Sequence, residues 1–388
     1  MATSEVTTEA KAAGMTPEER LQASIALQPS DRIVCAPFVL GYAASFAGVT
    51  QKSFYHDFDL AMRCFDQVKA AYPVWDSNRC NFGAMAYAPI LRNTWFQKVA
   101  IPGEELPEDA PFQIIEHELT TQDELRNIRT QGAGSYMMVI GQRLRPQAGR
   151  DHFQIWGRER DEITLKEVQA TYARGQSFFY GGYLAIGYEL LSMTRSMAAF
   201  TRDVYKLGDE LVEVLWAMQQ GATQQAIAEC RTSGVPRAFI VGCRCTPTFL
   251  NQKRFETFAW PFLKQGALDL LAAGITPIFH LDTDWGRCLE YFLELPKGKC
   301  VIETDGATNL FRAKQILRDH VCLSGDVPPG MLAIASPSEV EDYCKKLIRE
   351  VGQGGGFIFS NGCTMPHDSK HANVKAMFDA VAKYGRCN

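Results

Sequence analysis

The strongest hydrophobic pattern in the chain is Val340, Tyr343, Cys344, Leu347, Ile348 and Val351, spaced so that they share one face of a helix. Ser336-Pro337-Ser338-Glu339 ahead of them is a capping box with proline in the first turn. Gly354-Gly355-Gly356 stops the helix, and the unbroken apolar run Phe357-Ile358-Phe359-Ser360 predicts a strand. The same order recurs upstream. Ala238–Gly242 reads as a strand, Phe255–Ala273 as a helix stopped by Gly274, and Ile275–His280 as the next strand. Lys299–Glu303 and Val321–Ser324 are further strands, with a helix over Leu310–Arg318 between them. Leu207–Met218 is an amphipathic helix before this series, and Ala372–Ala382 a helix after it. Near the start, Thr16, Pro17 and Glu19 cap a helix that runs to about Leu27 and stops before Pro29. Phe54–Ala71 has a second helical pattern. Ile101–Phe112, with three prolines and four acids, reads as a loop. The polar, glycine-broken residues 113–178 read as surface excursions.

Strands that alternate with helices imply right-handed βαβ units and a parallel sheet. With 388 residues, the pattern favours an α/β fold of the (β/α)8 barrel type. The whole chain is then one domain, in which residues 1–75 form an N-terminal helical extension and the polar stretches form loop excursions. No GxGxxG follows a strand, so a dinucleotide-binding sheet has no support. In a barrel the chemistry sits at the C-terminal ends of the strands.

Composition narrows the function classes. A hydrophobic fraction of 46% and a charged fraction of 22% are those of an ordinary globular protein. A net charge of −4 argues against a general nucleic-acid binder. No uninterrupted apolar stretch approaches the ~18 residues of a membrane span. The polar segment Met1–Gly14 lacks the basic and apolar regions of a signal peptide, so the expected address is cytoplasmic. The twelve cysteines include no CxxC pair, only the CxC of Cys243 and Cys245. In a reducing compartment most of them serve as small buried apolar residues.

Four strand ends carry reactive side chains. His280 and Asp282 sit two apart in Ile278-Phe279-His280-Leu281-Asp282 and point to one side of an extended segment. Glu303 and Asp305 end the next strand, Asp326 follows a glycine turn in the one after, and Cys363 follows Asn361-Gly362 in the last. An imidazole, carboxylates and a thiolate are the ligand types zinc uses, so His280, Asp282, Glu303 and Cys363 are a candidate metal set from three strands. The set competes with a blander reading, in which His280 is a satisfied buried residue and the acids are helix caps. Asp305 is the alternative to Glu303. Cys243 or Cys245 could supply sulfur instead, although Cys245-Thr246-Pro247 has the look of a loop. His367 and His371 have helical ligand spacing but read as a solvated helix start. Arg143, Arg145 and Arg150 form a local basic cluster, read as solvated surface or as a docking face for an acidic partner. The glycines at 354–356 lack the GK[ST] of a phosphate-binding loop, and no GxSxG is present.

These residues bring the chain close to a known group. Thr16-Pro17-Glu18-Glu19-Arg20 and Pro29-Ser30-Asp31-Arg32 resemble the opening of the uroporphyrinogen decarboxylase superfamily. From Gly274 to Met377 the order His280-Leu281-Asp282, Glu303, Gly325-Asp326, Pro337-Ser338-Glu339-Val340, Gly354 to Ile358, Gly362-Cys363, Pro366 and Asn373-Val374 is similar to its zinc- and corrinoid-dependent methyltransferase branch. The resemblance is loose over 80–200. It implies a zinc site on His280, Asp282, Glu303 and Cys363, and a methyl group exchanged between a small substrate and the cobalt of a cobalamin or other corrinoid on a partner protein. Asp282 stands where many relatives have cysteine, which hardens the site and favours a methyl ether, as in O-demethylation, over a thiol. In such a mechanism Asp326 and Asp284 are expected to handle protons or bond the substrate, and Phe279, Trp285 or nearby residues to give an apolar wall, since burial strengthens the electrostatics of the site. The superfamily's decarboxylases need no metal. Their arginine-rich N-terminal motif is missing here, and Cys363 replaces a histidine-glycine segment. Decarboxylation and a non-catalytic zinc- or tetrapyrrole-binding role are the alternatives. A homodimer is compatible with the sequence.

Overall fold

The apolar runs between 237 and 361 all form strands, and neighbouring strands pair in parallel. The computed structural model describes residues 14–79, 82–146 and 152–386. Arg150 and nearly all of the polar N-terminal stretch lie outside the described residues. In chain order the strands are β1 (Val34–Cys35), β2 (Ser77–Asn78), β3 (Lys98–Ala100), β4 (Gln113–Ile115), β5 (Ser177–Phe178), β6 (Gly182–Leu184), β7 (Arg237–Gly242), β8 (Thr276–Leu281), β9 (Val301–Thr304), β10 (Cys322–Val327) and β11 (Phe357–Asn361).

Seven of them form one parallel sheet in the order β1-β11-β10-β9-β8-β7-β6. The parallel pair β2–β5 stands between the two edges of that sheet. The Asp76 amide donates to the Cys35 carbonyl at 2.8 Å on one side, and β5 leads within a few residues into β6 on the other. This is the stave arrangement of a (β/α)8 barrel with helices outside. β3 and β4 make a separate antiparallel pair.

Side chains alternate along the staves. Val34, Ile278, Val301, Cys322 and Ile358 form a dry interior layer together with Leu21 and Ile25 of the helix Pro17–Ile25. That helix, whose capping box forms as predicted, covers the N-terminal end of the barrel. Arg20 bonds Asp31 at 2.6 Å and Asp76 at 2.8 Å, Arg32 bonds Asp76 at 2.6 Å, and Arg237 bonds Glu18 at 2.7 Å. Two residues further along the strands the interior turns polar, at His280, Glu303, Ser324 and Ser360.

The structure departs from the sequence pattern at several places, one of them Phe255–Ala273, which is two helices, Gln252–Phe258 and Trp260–Ala272, separated at Ala259. The predicted helix 54–71 is two helices, Gln51–His56 and Phe58–Ala71, because the Asp57 side chain caps the second. The helix predicted at 207–218 extends over Asp209–Ser233. Residues 113–178 are mostly two long helices, Gln122–Leu144 and His152–Ala173, rather than excursions. The second buries Arg160, Thr164, Glu167 and Thr171 and exposes Ile155 and Tyr172, while the first buries Leu125, Ile128, Tyr136 and Ile140 but exposes Met138. Gly132, with φ +79°, also breaks the first of them. Among the described residues no helix is long and apolar enough to cross a membrane.

Candidate metal centre

His280, Asp282 and Cys363 each place one donor atom within 4.8 Å of the others at the C-terminal mouth of the barrel. His280 Nε2 lies 3.2 Å from an Asp282 oxygen, and its Nδ1 lies 2.6 Å from Glu303. His280 is 3% exposed, whereas Asp282 and Cys363 are half-buried, so the donor set faces the opening. Phe239 stacks on the imidazole with ring centroids 4.9 Å apart. The backbone of Asp282 is held on both sides: its amide donates to the Gly242 carbonyl at 3.1 Å, and its carbonyl accepts from the Trp285 indole at 2.8 Å. Asn361 donates to the Cys363 carbonyl and fixes the other end of the set.

Glu303 does not join the three donors. It stands behind His280, with Arg79 2.5 Å from its second oxygen and Ser324 donating to that oxygen at 3.2 Å. Burial alone would raise the Glu303 pKa, but the Arg79 charge and the His280 bond outweigh it and hold the carboxyl at about 2. Burial likewise works against a charged His280, yet its bonds to Asp282, Cys363 and Glu303 carry its pKa well above the ordinary value. A histidine that binds a metal through one nitrogen almost always gives the other to a carboxylate or similar partner. His280 and Glu303 have that arrangement, and an N, O, S donor set suits zinc.

The other candidates fall elsewhere. Asp305 accepts from the Thr283 amide at 2.8 Å and the Ala307 amide at 2.8 Å, and pins a turn in which Thr283 adopts φ +67°. Asp326 is turned away from the donors toward the outer helices: Thr304 and Tyr343 donate to it at 3.2 and 2.9 Å. The inward alternation of Cys322 and Ser324 breaks at Gly325, whose φ is +130°. Asp284 is exposed and caps its own turn through the Gly286 amide. Phe279 and Trp285 both pack on Phe292 in the outer layer, and the aromatic ring against the site is that of the neighbouring Phe239. His367 and His371 line a separate cleft of about 470 Å³. Arg143 is paired to Glu124 at 2.6 Å.

Two buried charged side chains that hold the surroundings of the site escaped the sequence reading. Arg79 follows a two-residue strand that no apolar run announces. Glu189, fully buried in the first turn of the helix Gly187–Arg195, accepts from the Arg244 and Cys245 amides at 2.8 Å each. An acid among apolar residues just after a strand was the available signal.

The uroporphyrinogen decarboxylase (URO-D) family model matches residues 188–384, a little over half of the chain and the part that carries His280, Asp282, Glu303 and Cys363. Uroporphyrinogen decarboxylase of Histophilus somni (strain 2336) is 32% identical over 80 residues, which cover 21% of this chain and 22% of that protein. The Chlorobaculum tepidum enzyme is 24% identical over 174 residues, 41% and 49% of the two chains. The matched stretches thus span less than half the length of these relatives. A methyltransferase from Methanosarcina mazei superposes with a TM-score of 0.68 over 95% of this chain and 99% of its own, at 15% identity, and so shares the fold. Barrel, strand-end chemistry and family match agree, and the chain belongs to the uroporphyrinogen decarboxylase family.

Proposed function

We propose that the protein is a zinc-dependent methyltransferase that moves a methyl group between a small substrate and the cobalt of a corrinoid carried by a separate protein. The convergence of His280, Asp282 and Cys363 within 4.8 Å at the barrel mouth carries this reading. Zinc held there would supply Lewis acidity to the oxygen of a methyl ether, or lower the pKa of a thiol. Glu303, kept ionised by Arg79, fixes His280 so that Nε2 faces the other donors. Phe239 covers the imidazole face and limits water there. Asp282 and Cys363 meet the opening, where a substrate and a partner in a cytoplasmic setting would approach. The oxygen donor Asp282 favours a methyl ether as substrate.

Protein purified without chelators should hold stoichiometric zinc and methylate reduced cobalamin from a methoxylated aromatic. Cys363→Ala should lose both properties. Methyl transfer that persists after complete removal of zinc would overturn the reading. The decarboxylases among the relatives supply the competing outcome, release of CO2 from a tetrapyrrole carboxylate that is indifferent to chelators.

A further inference from the structure

Three protein donors leave the fourth tetrahedral position of a zinc site to an exchangeable ligand or to a further side chain. The neighbouring strand offers a fourth. β7 and β8 pair with Gly242 opposite Leu281, so the residues that follow, Cys243 and Asp282, stand side by side at the mouth. Alternation along β7 gives Phe239, Val241 and Cys243 a common side, and Phe239 stacks on His280. Cys243 is not among the donors within 4.8 Å of one another; it stands beside Asp282 on the neighbouring strand, on the side that faces His280. The loop that presents it is anchored. Glu189 holds the amides of Arg244 and Cys245, and the Arg244 guanidinium bonds Glu116 at 2.7 Å and the Ser192 carbonyl at 2.9 Å. Glu303, by contrast, is committed to His280, Arg79 and Ser324.

We propose that Cys243 is the fourth protein ligand of the metal centre, adding a second sulfur to His280, Asp282 and Cys363. This rests on the metal-centre reading given above. On binding, the S–H bond breaks, a sulfur–metal bond forms and the proton leaves to solvent. With one nitrogen and two sulfurs in place, Asp282 becomes the exchangeable donor, an oxygen whose position a substrate oxygen can take.

X-ray absorption at the zinc edge of the loaded full-length protein should find two sulfur neighbours at about 2.3 Å. In cobalt(II)-substituted protein, Cys243→Ser and Cys363→Ser should each remove roughly half of the thiolate charge-transfer band, one of two soft ligands, while Cys288→Ser leaves it intact. A single sulfur neighbour in the unmodified protein, or a full band in Cys243→Ser, would overturn the proposal and leave the metal centre standing. Failure of the protein to bind zinc or cobalt at all would overturn both. The sulfur count in the unmodified protein decides the matter even where Cys243→Ser does not fold.

Discussion

His280 and Glu303 share a 2.6 Å hydrogen bond through Nδ1, and Arg79 grips the same carboxylate from the other side at 2.5 Å. The imidazole is therefore oriented before any ion arrives. Glu303→Gln keeps the shape and removes the charge, so zinc affinity should fall by about 10–100-fold, the usual loss when an outer partner of a ligand is changed. Competition against a chromophoric chelator measures it, and an unchanged affinity would deny Glu303 its orienting role.

Arg79 and Glu303 are each 1% exposed, so neither charge can fall back on water. Arg79→Met leaves a buried carboxylate without its counter-ion and should cost about 3–5 kcal/mol. Adding Glu303→Gln should recover much of that loss. Urea midpoints of the two single variants and the double variant give the coupling between them.

Gly362 makes the close approach that sets Cys363 in place: a Cβ there would lie 2.3 Å from the Asp305 backbone. Gly362→Ala must push one of the two loops aside. The expected result is a loss of about 1–3 kcal/mol in stability, as for other overpacked positions, together with weaker metal binding. Denaturation and zinc titration of the same variant should both respond.

Burial raises the Asp326 pKa from an ordinary 3.8 to about 7, against the opposing bonds from Tyr343 and Thr304. The folded state thus holds this proton more tightly than the unfolded chain does. Stability contributed by the neutral form is full below about pH 3.8 and is lost as the pH rises toward 7, after which it stays flat. Asp326→Asn should match the unmodified protein near pH 4 and be more stable at pH 8, without a change in zinc content. Equal stability losses at both pH values would contradict this.

Several of these residues were legible in the sequence because short apolar runs bounded by glycine mark strands, and the period of two tells which side each residue takes. That rule put His280 and Asp282 together and supplied Cys363. It left Glu303 and Asp305 undecided, and the structure separates them: Glu303 faces His280 while Asp305 holds the Thr283 amide. It failed at Asp326, because the left-handed φ of Gly325 resets the alternation after Ser324. The helices Gln122–Leu144 and His152–Ala173 were hidden for another reason. The second buries Arg160 and Glu167 in hydrogen-bonded positions and exposes Ile155, so hydrophobicity alone misplaces its faces, and Gly132 interrupts the first.

The layer of Val34, Ile278, Val301, Cys322 and Ile358, sealed by Leu21 and Ile25, has a kinetic consequence. It is a buried apolar floor under the polar tier. On the proposed reading, the giver and the receiver of the methyl group use one doorway. They must line up along the barrel axis, with the smaller molecule seated first, and traffic at the rim sets the order in which they come and go.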